Sequence, residues 1–107
     1  MNKPTENHWI HHYDKDIKEL KRLVYSMGDL SLQQLRDATQ AFKSGDIGLA
    51  QKVCGLDSAI NALEVAVDRA ATLIIAKYQP KANDLRLVLG MGKMSTDFER
   101  IGDQARN

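Results

Sequence analysis

A run of eight apolar residues constrains the fold of this 107-residue chain more than any other feature. The residues between positions 49 and 74 are spaced alternately four and three apart, which is the heptad pattern of a long helix packed lengthwise against other helices. The loop Ser44-Gly45-Asp46, which contains a capping residue, precedes the run. Pro80 follows the run and disfavours helix at Gln79. The pattern therefore predicts a helix over about 46–78. The run consists of Leu49, Val53, Leu56, Ile60, Leu63, Val67, Ala70 and Ile74.

Similar spacing predicts a helix on each side of this one. The first is expected as one long helix over about 9–42, whose apolar seam has a local break near Gly28. The third is expected over about 83–107, beginning near Asn83 or Asp84. The predicted seam of the first helix is Tyr13, Ile17, Leu20, Val24, Met27, Leu35, Ala38 and Phe42, and that of the third is Leu87, Met91, Met94, Phe98, Ile101 and Ala105. No strand pattern occurs, so the predicted fold is all-α, an antiparallel up-down-up bundle of three long helices.

Composition and chain ends narrow the class of protein. A net charge of +1 gives no reason to expect nucleic acid or an anionic membrane as a partner. A lone cysteine, Cys54, excludes an internal disulfide, and its apolar neighbours predict that it is buried.

Residues 1–7 are predicted as a flexible N-terminus without the apolar core of a signal peptide, which indicates the cytoplasm. Residues 8–107 form one predicted domain, whose third helix has no capping residue at its end and is expected to be truncated.

Paired carboxylates on the second and third helices are the candidate functional residues. Glu64 and Asp68 are four apart, as are Glu99 and Asp103, so each pair shares one helical face. Asp57, together with Asn61, extends the set on the second helix. Oxygen-only ligands suit hard cations such as Mg²⁺, Mn²⁺, Ca²⁺ or ferric iron. The spacing leaves a solvated acidic face open as the plainer alternative, because such pairs are common on long helices.

Catalytic patterns have no support in the sequence. No Glu-x-x-His occurs, which excludes a di-iron oxidase bundle, and Gly90-Met91-Gly92 lacks the strand and lysine of a phosphate-binding loop. His8, His11 and His12 are interpreted as surface histidines rather than metal ligands. We therefore do not expect an enzyme.

Four stretches resemble the PhoU family, at consistent spacing from about residue 8 to the last residue. They are Tyr25-Ser26-Met27-Gly28, the segment Asp57 to Asp68, the segment Gln79-Pro80-Lys81-Ala82-Asn83-Asp84-Leu85-Arg86, and Phe98-Glu99-Arg100-Ile101-Gly102-Asp103. PhoU proteins consist of two tandem three-helix repeats, and the resemblance covers the first.

The resemblance implies a cytoplasmic regulator or adaptor of phosphate uptake that keeps the phosphate-starvation response off. Its implied partners are the ATPase of the phosphate ABC transporter and the phosphate-sensor histidine kinase, and a homodimer is expected. It also implies a metal ion, such as iron, manganese or magnesium, held by Glu64, Asp68, Glu99 and Asp103, with Asp57 as an addition. Partner contacts are expected at Asp84, Arg86 and Arg100, although a helix cap is the plainer account of Asp84.

Two departures from the family pattern keep other functions open. Asn61 stands where many members have an aspartate, and the second repeat is missing. The alternatives are a metal-free helical protein-interaction module and a PhoU-like domain of a larger phosphate transporter.

Overall fold

Three long helices make up the part of the chain that the structure describes. The computed structural model describes the backbone of residues 3–106 and the side chains of residues 10–102 and 104. Helix α1 spans Lys3–Ser44, α2 spans Ile47–Tyr78 and α3 spans Ala82–Arg106. Every pair of helices is in contact, and the molecule measures 66 × 21 × 15 Å. This architecture confirms the predicted all-α, up-down-up bundle.

The first helix is longer than its seam predicted. It begins at Lys3, so the segment predicted as a flexible N-terminus is helical from that residue onward. Pro4 lies in the first turn, where proline is tolerated because its missing amide hydrogen would have no partner in the helix. The helix also continues through Gly28 without interruption, which confirms the prediction of one long helix. Gly28 faces α3, where a Cβ atom would lie 3.3 Å from Cζ of Phe98.

Short connections reverse the chain between the helices. Asp46 caps α2 as predicted, since its Oδ1 accepts a hydrogen bond from the Leu49 amide at 3.1 Å. The helix ends at Gln79, which adopts a left-handed conformation with φ of 48° directly before Pro80. Helix α3 then begins at Ala82, one residue before the predicted start.

The apolar core runs through the middle of the bundle, and α2 contributes to it as predicted. Val53, Ile60, Val67 and Ile74 are buried, and the other four residues of the seam are half-buried. The first part of the α1 seam is also confirmed. The buried apolar residues are Ile17, Leu20, Val24 and Met27 of α1, Val53, Ile60, Val67 and Ile74 of α2, and Val88 and Met91 of α3.

Two predicted seams are wrong in part, one in the second half of α1 and the other along α3. Leu35 and Phe42 of α1 are exposed, the latter to 92%, and the buried positions belong to Ser31, Gln34 and Asp37. The buried stripe of α3 is rotated by one residue from the prediction, because polar and small residues occupy it there. It consists of Val88, Met91, Ser95 and Gly102 with half-buried Phe98, whereas Leu87, Met94 and Ile101 are exposed.

Two smaller observations complete the description. Cys54 is exposed, so its predicted burial is wrong: Val53 takes the core position, and the next residue on a helix points about 100° away. Within the described residues, no helix is long and apolar enough to cross a membrane.

Candidate functional site

The carboxylates of α2 lie on the side of that helix that faces α3. Asp57 fixes this orientation, because its Oδ1 lies 3.7 Å from the position of a Cβ atom on Gly102. Glu64 and Asp68 follow Asp57 by seven and eleven residues, so they share its side of the helix. Burial decreases along the series: Asp57 is buried at 7% exposure, Glu64 is half-buried and Asp68 is exposed. The carboxylates of α2 therefore become more exposed along the α2–α3 groove, from Asp57 to Asp68.

The acidic pair of α3 begins in the same groove. Glu99 is half-buried and precedes Gly102 by three residues, on the side of α3 away from Phe98 and α1. The backbone of Asp103 is helical, but its side chain lies outside the described residues.

The five predicted metal ligands are spread over more than one level of the groove. Asp57 and Asp68 are eleven residues apart, which is about 16 Å along a helix. Because α2 and α3 are antiparallel and Asp57 is level with Gly102, Glu64 is level with Ser95 and Asp68 with Met91. One ion therefore cannot contact all five. Among the side chains that the structure describes, no three acidic, histidine or cysteine groups converge on a common metal position.

A layer of buried polar side chains lies beside the inner end of this groove. Ser95 Oγ donates to Met27 Sδ at 3.0 Å, and Gln34 Nε2 donates to the Val53 carbonyl oxygen at 3.0 Å. Ser31 Oγ reaches the Phe98 carbonyl oxygen at 3.5 Å. These bonds connect α1 to both other helices through polar atoms rather than apolar side chains.

One atom of this layer has no partner among the described residues. The Gln34 side chain is fully buried, and its carbonyl oxygen Oε1 accepts no hydrogen bond from any of them. A Cβ atom on Gly102 would collide with Oε1 and would lie 3.4 Å from Cδ of the same side chain. The Gln34 amide thus fills the space that the glycine leaves, with its carbonyl oxygen near Asp57. An unsatisfied buried acceptor costs about 1–3 kcal/mol.

The residues at the inner end of the groove fit a hard cation by their chemistry. They combine a nearly buried carboxylate, Asp57, with a neutral carbonyl oxygen that has no donor, and the half-buried carboxylate of Glu99 lies one turn along α3. Carboxylate and amide oxygens are the ligands that Mg²⁺, Mn²⁺ and Ca²⁺ prefer. Sequence reasoning missed Gln34 because the predicted seam passes through Leu35, and a lone glutamine beside that seam gives no ligand pattern.

A second groove, between α1 and α3, is lined by apolar residues. Phe98 packs on Gly28. Residues four and seven positions after Gly28 lie on the same face of α1 and therefore border this contact. On α3, the residues four positions before and three positions after Phe98 do the same. They are Leu32 and Leu35 on α1 and Met94 and Ile101 on α3, each between 43% and 48% exposed. These residues define the α1–α3 apolar side.

The opposite end of the bundle holds an aromatic cluster around a shallow cavity of about 330 Å³. The rings of Tyr13 and Tyr78 meet edge-on, with centroids 5.1 Å apart, and Tyr78 donates a hydrogen bond to Asp16 at 2.6 Å. The Tyr13 hydroxyl is buried near the Asp84 carboxylate, outside the geometry of an ordinary hydrogen bond. Burial, followed by the charges of Asp84 and Asp14, raises the pKa of Tyr13.

The predicted partner residues do not form a single patch. Asp84 borders the aromatic cavity, and Arg86 is exposed two residues further along α3. Arg100 is also exposed, but it lies fourteen residues beyond Arg86, about 21 Å along the helix. Of the three histidines, His11 is exposed and His12 half-buried, while the side chain of His8 lies outside the described residues.

A narrow bundle with one acidic and one apolar groove is typical of helical domains that bind other molecules through their long faces. The PhoU domain family matches residues 24–107, which is most of the chain. The chain belongs to the PhoU family.

The relatives are accessory proteins of phosphate transport. The chain is 42% identical over 93 residues to the phosphate-specific transport system accessory protein PhoU of Escherichia coli (strain K12), covering 87% of this chain and 39% of the relative. It is 38% identical over 106 residues to the PhoU homolog of Pseudomonas putida, covering 98% of this chain and 41% of the relative. The chain therefore spans about two fifths of the length of the curated relatives it matches. No solved structure matches it.

Proposed function

We propose that the chain is a non-catalytic accessory protein of phosphate-specific transport, which restrains the phosphate-starvation response when phosphate is plentiful. The observation that carries this proposal is the match to the PhoU domain over residues 24–107, together with relatives named as accessory proteins of that transport system. The site of action is the cytoplasm. The partners are the ATPase of the phosphate ABC transporter and the phosphate-sensor histidine kinase.

The α1–α3 apolar side supports a protein contact. Four large apolar side chains that are each nearly half-exposed form a longer patch than a scattered surface residue would, and such patches mark interaction sites. A homodimer would cover this side, and the remaining contacts to partners would fall on Asp84, Arg86 and Arg100. Because the two arginines are well separated along α3, they would serve different partner segments.

The α2–α3 groove would hold a hard cation such as iron, manganese or magnesium. Its ligands would be Asp57, Glu99 and Asp103 at the inner level and Glu64 with Asp68 at the outer level. A bound cation would supply positive charge that offsets the mutual repulsion of these carboxylates. The alternatives are a metal-free helical protein-interaction module and a PhoU-like domain of a larger phosphate transporter.

The proposal is tested in a bacterium that lacks its own PhoU protein and carries a reporter under a phosphate-starvation promoter. Expression of the chain in phosphate-rich medium is expected to lower the reporter signal severalfold. The purified chain should also bind the transporter ATPase or the kinase at micromolar concentration. Met94→Glu is expected to weaken self-association of the chain at least tenfold, because it places a charge on the α1–α3 apolar side that the homodimer would cover.

Leu89→Glu is the matched control, since Leu89 is exposed on the opposite face of the same helix. It is expected to behave like the unaltered chain. An unchanged reporter together with no binding to either partner would contradict the proposal.

A further inference from the structure

We infer that the side-chain carbonyl of Gln34 is a neutral ligand of the cation held at the inner end of the α2–α3 groove. The inference rests on the proposed cation binding and adds a residue from α1, the helix that carries no predicted ligand. Gln34 is fully buried, which is rare for a glutamine and unfavourable unless both ends of its amide are used. Only the nitrogen end is used within the protein, by the bond to the Val53 carbonyl.

The hydrogen bond to Val53 fixes which atom faces the groove. The Val53 carbonyl accepts from Nε2, so the amide cannot be turned around without placing two acceptors together. Oε1 is consequently held against the bare Cα of Gly102. Among the residues that the structure describes, no hydrogen-bond donor reaches this oxygen, and a cation is a partner that a buried carbonyl oxygen close to a carboxylate can take.

Asp57 and Gly102 complete the geometry. Asp57 Oδ1 and Gln34 Oε1 both lie close to the point where a Cβ atom of residue 102 would be. Two oxygen atoms from different helices thus approach the same part of α3. Asp57 retains 7% exposure and Glu99 is half-buried, so both carboxylates reach solvent. A cation bound here would join all three helices, so its occupancy would be coupled to how tightly α1 packs on the other two.

The inference is tested by Mn²⁺ titration of the purified chain, followed by electron paramagnetic resonance of the free ion. Gln34→Leu, which keeps the bulk but removes the oxygen, is expected to weaken Mn²⁺ binding at least tenfold. Gln34→Glu keeps an oxygen at this place and is expected to bind at least as tightly as the unaltered chain. Gln40→Leu is the control, because Gln40 is exposed on the same helix.

The outcomes separate this inference from the proposed function. If Gln34→Leu binds Mn²⁺ as tightly as the unaltered chain, Gln34 is not a ligand, although the groove still binds metal. If the unaltered chain binds no Mn²⁺ at millimolar concentration, both the proposed cation binding and this inference are wrong. A measurement on the unaltered chain covers the case in which Gln34→Leu does not fold. In a ¹³C spectrum, Mg²⁺ is expected to shift the Cδ resonance of Gln34 but not that of Gln40. A Gln34 resonance at the same position with and without Mg²⁺ would overturn the inference.

Discussion

Replacing Gly102 by alanine tests the packing of the polar layer with a predictable magnitude. In an exposed helix interior, Gly→Ala stabilises by up to about 1 kcal/mol. At position 102 the new methyl group would collide with Gln34 Oε1 and approach Asp57. Forcing a methyl group into a packed interior costs about 1–3 kcal/mol. Displacing the amide also removes its bond to the Val53 carbonyl, worth about 1 kcal/mol. The expected net loss in the free energy of unfolding is therefore about 1–3 kcal/mol.

The assay is urea unfolding followed by far-ultraviolet circular dichroism. Gly90→Ala is the control on the same helix, since a Cβ atom there would meet nothing within 4 Å, and it is expected to stabilise. In a Gln34→Ala background, Gly102→Ala should cost little, which gives a coupling energy of at least about 1 kcal/mol. A Gly102→Ala variant as stable as Gly90→Ala would refute the described contact between α1 and α3.

Three other substitutions probe separate parts of the bundle, each by the same unfolding assay. Asp46→Ala removes the cap of α2 and should cost about 1 kcal/mol, whereas Asp46→Asn should retain most of it. Burial, followed by the hydrogen bond to Asp16, raises the pKa of Tyr78. The folded protein should therefore lose stability as the pH rises above about 10, and Tyr78→Phe should reduce that loss. The bond from Gln33, with help from a nearby lysine, lowers the pKa of Asp37, so stability should fall as the pH drops below about 4, less steeply in Asp37→Asn. Unchanged pH profiles in the last two variants would contradict these assignments.

The number and order of the helices could be predicted from the sequence because α2 satisfies the heptad rule with apolar residues alone. All eight predicted seam positions of α2 are buried or half-buried. Its cap at Asp46 is also a local signal, since capping depends on a side chain and the amides of the next turn. Patterns of this kind need no knowledge of the neighbouring helices.

The polar layer could not be predicted for a physical reason. A hydrophobic pattern assumes that buried positions are apolar, but Ser31, Gln34 and Ser95 are buried through hydrogen bonds to atoms of other helices. Gly102 is buried because Gln34 fills its missing side chain. Such pairs are recognised only when two helices have been placed side by side.

The same limitation applies to the candidate site. Spacing placed the carboxylates of each helix on one face, and the contact between Asp57 and Gly102 brings the faces of α2 and α3 into one groove. Spacing could not indicate that Asp57 and Asp68 would lie at different levels of this groove, because that depends on the antiparallel register of the two helices.

The metal content of the purified, untagged chain tests the central claim most directly. Plasma mass spectrometry of the chain is compared with the Glu99→Ala/Asp103→Ala variant, and Asp97→Ala serves as a control from the exposed face of α3. The account predicts iron, manganese or magnesium near one equivalent or more, retained in Asp97→Ala and lost in the double variant while helicity is unchanged. Metal that persists in the double variant, or a chain that takes up none when it is offered, would contradict a cation site in the α2–α3 groove.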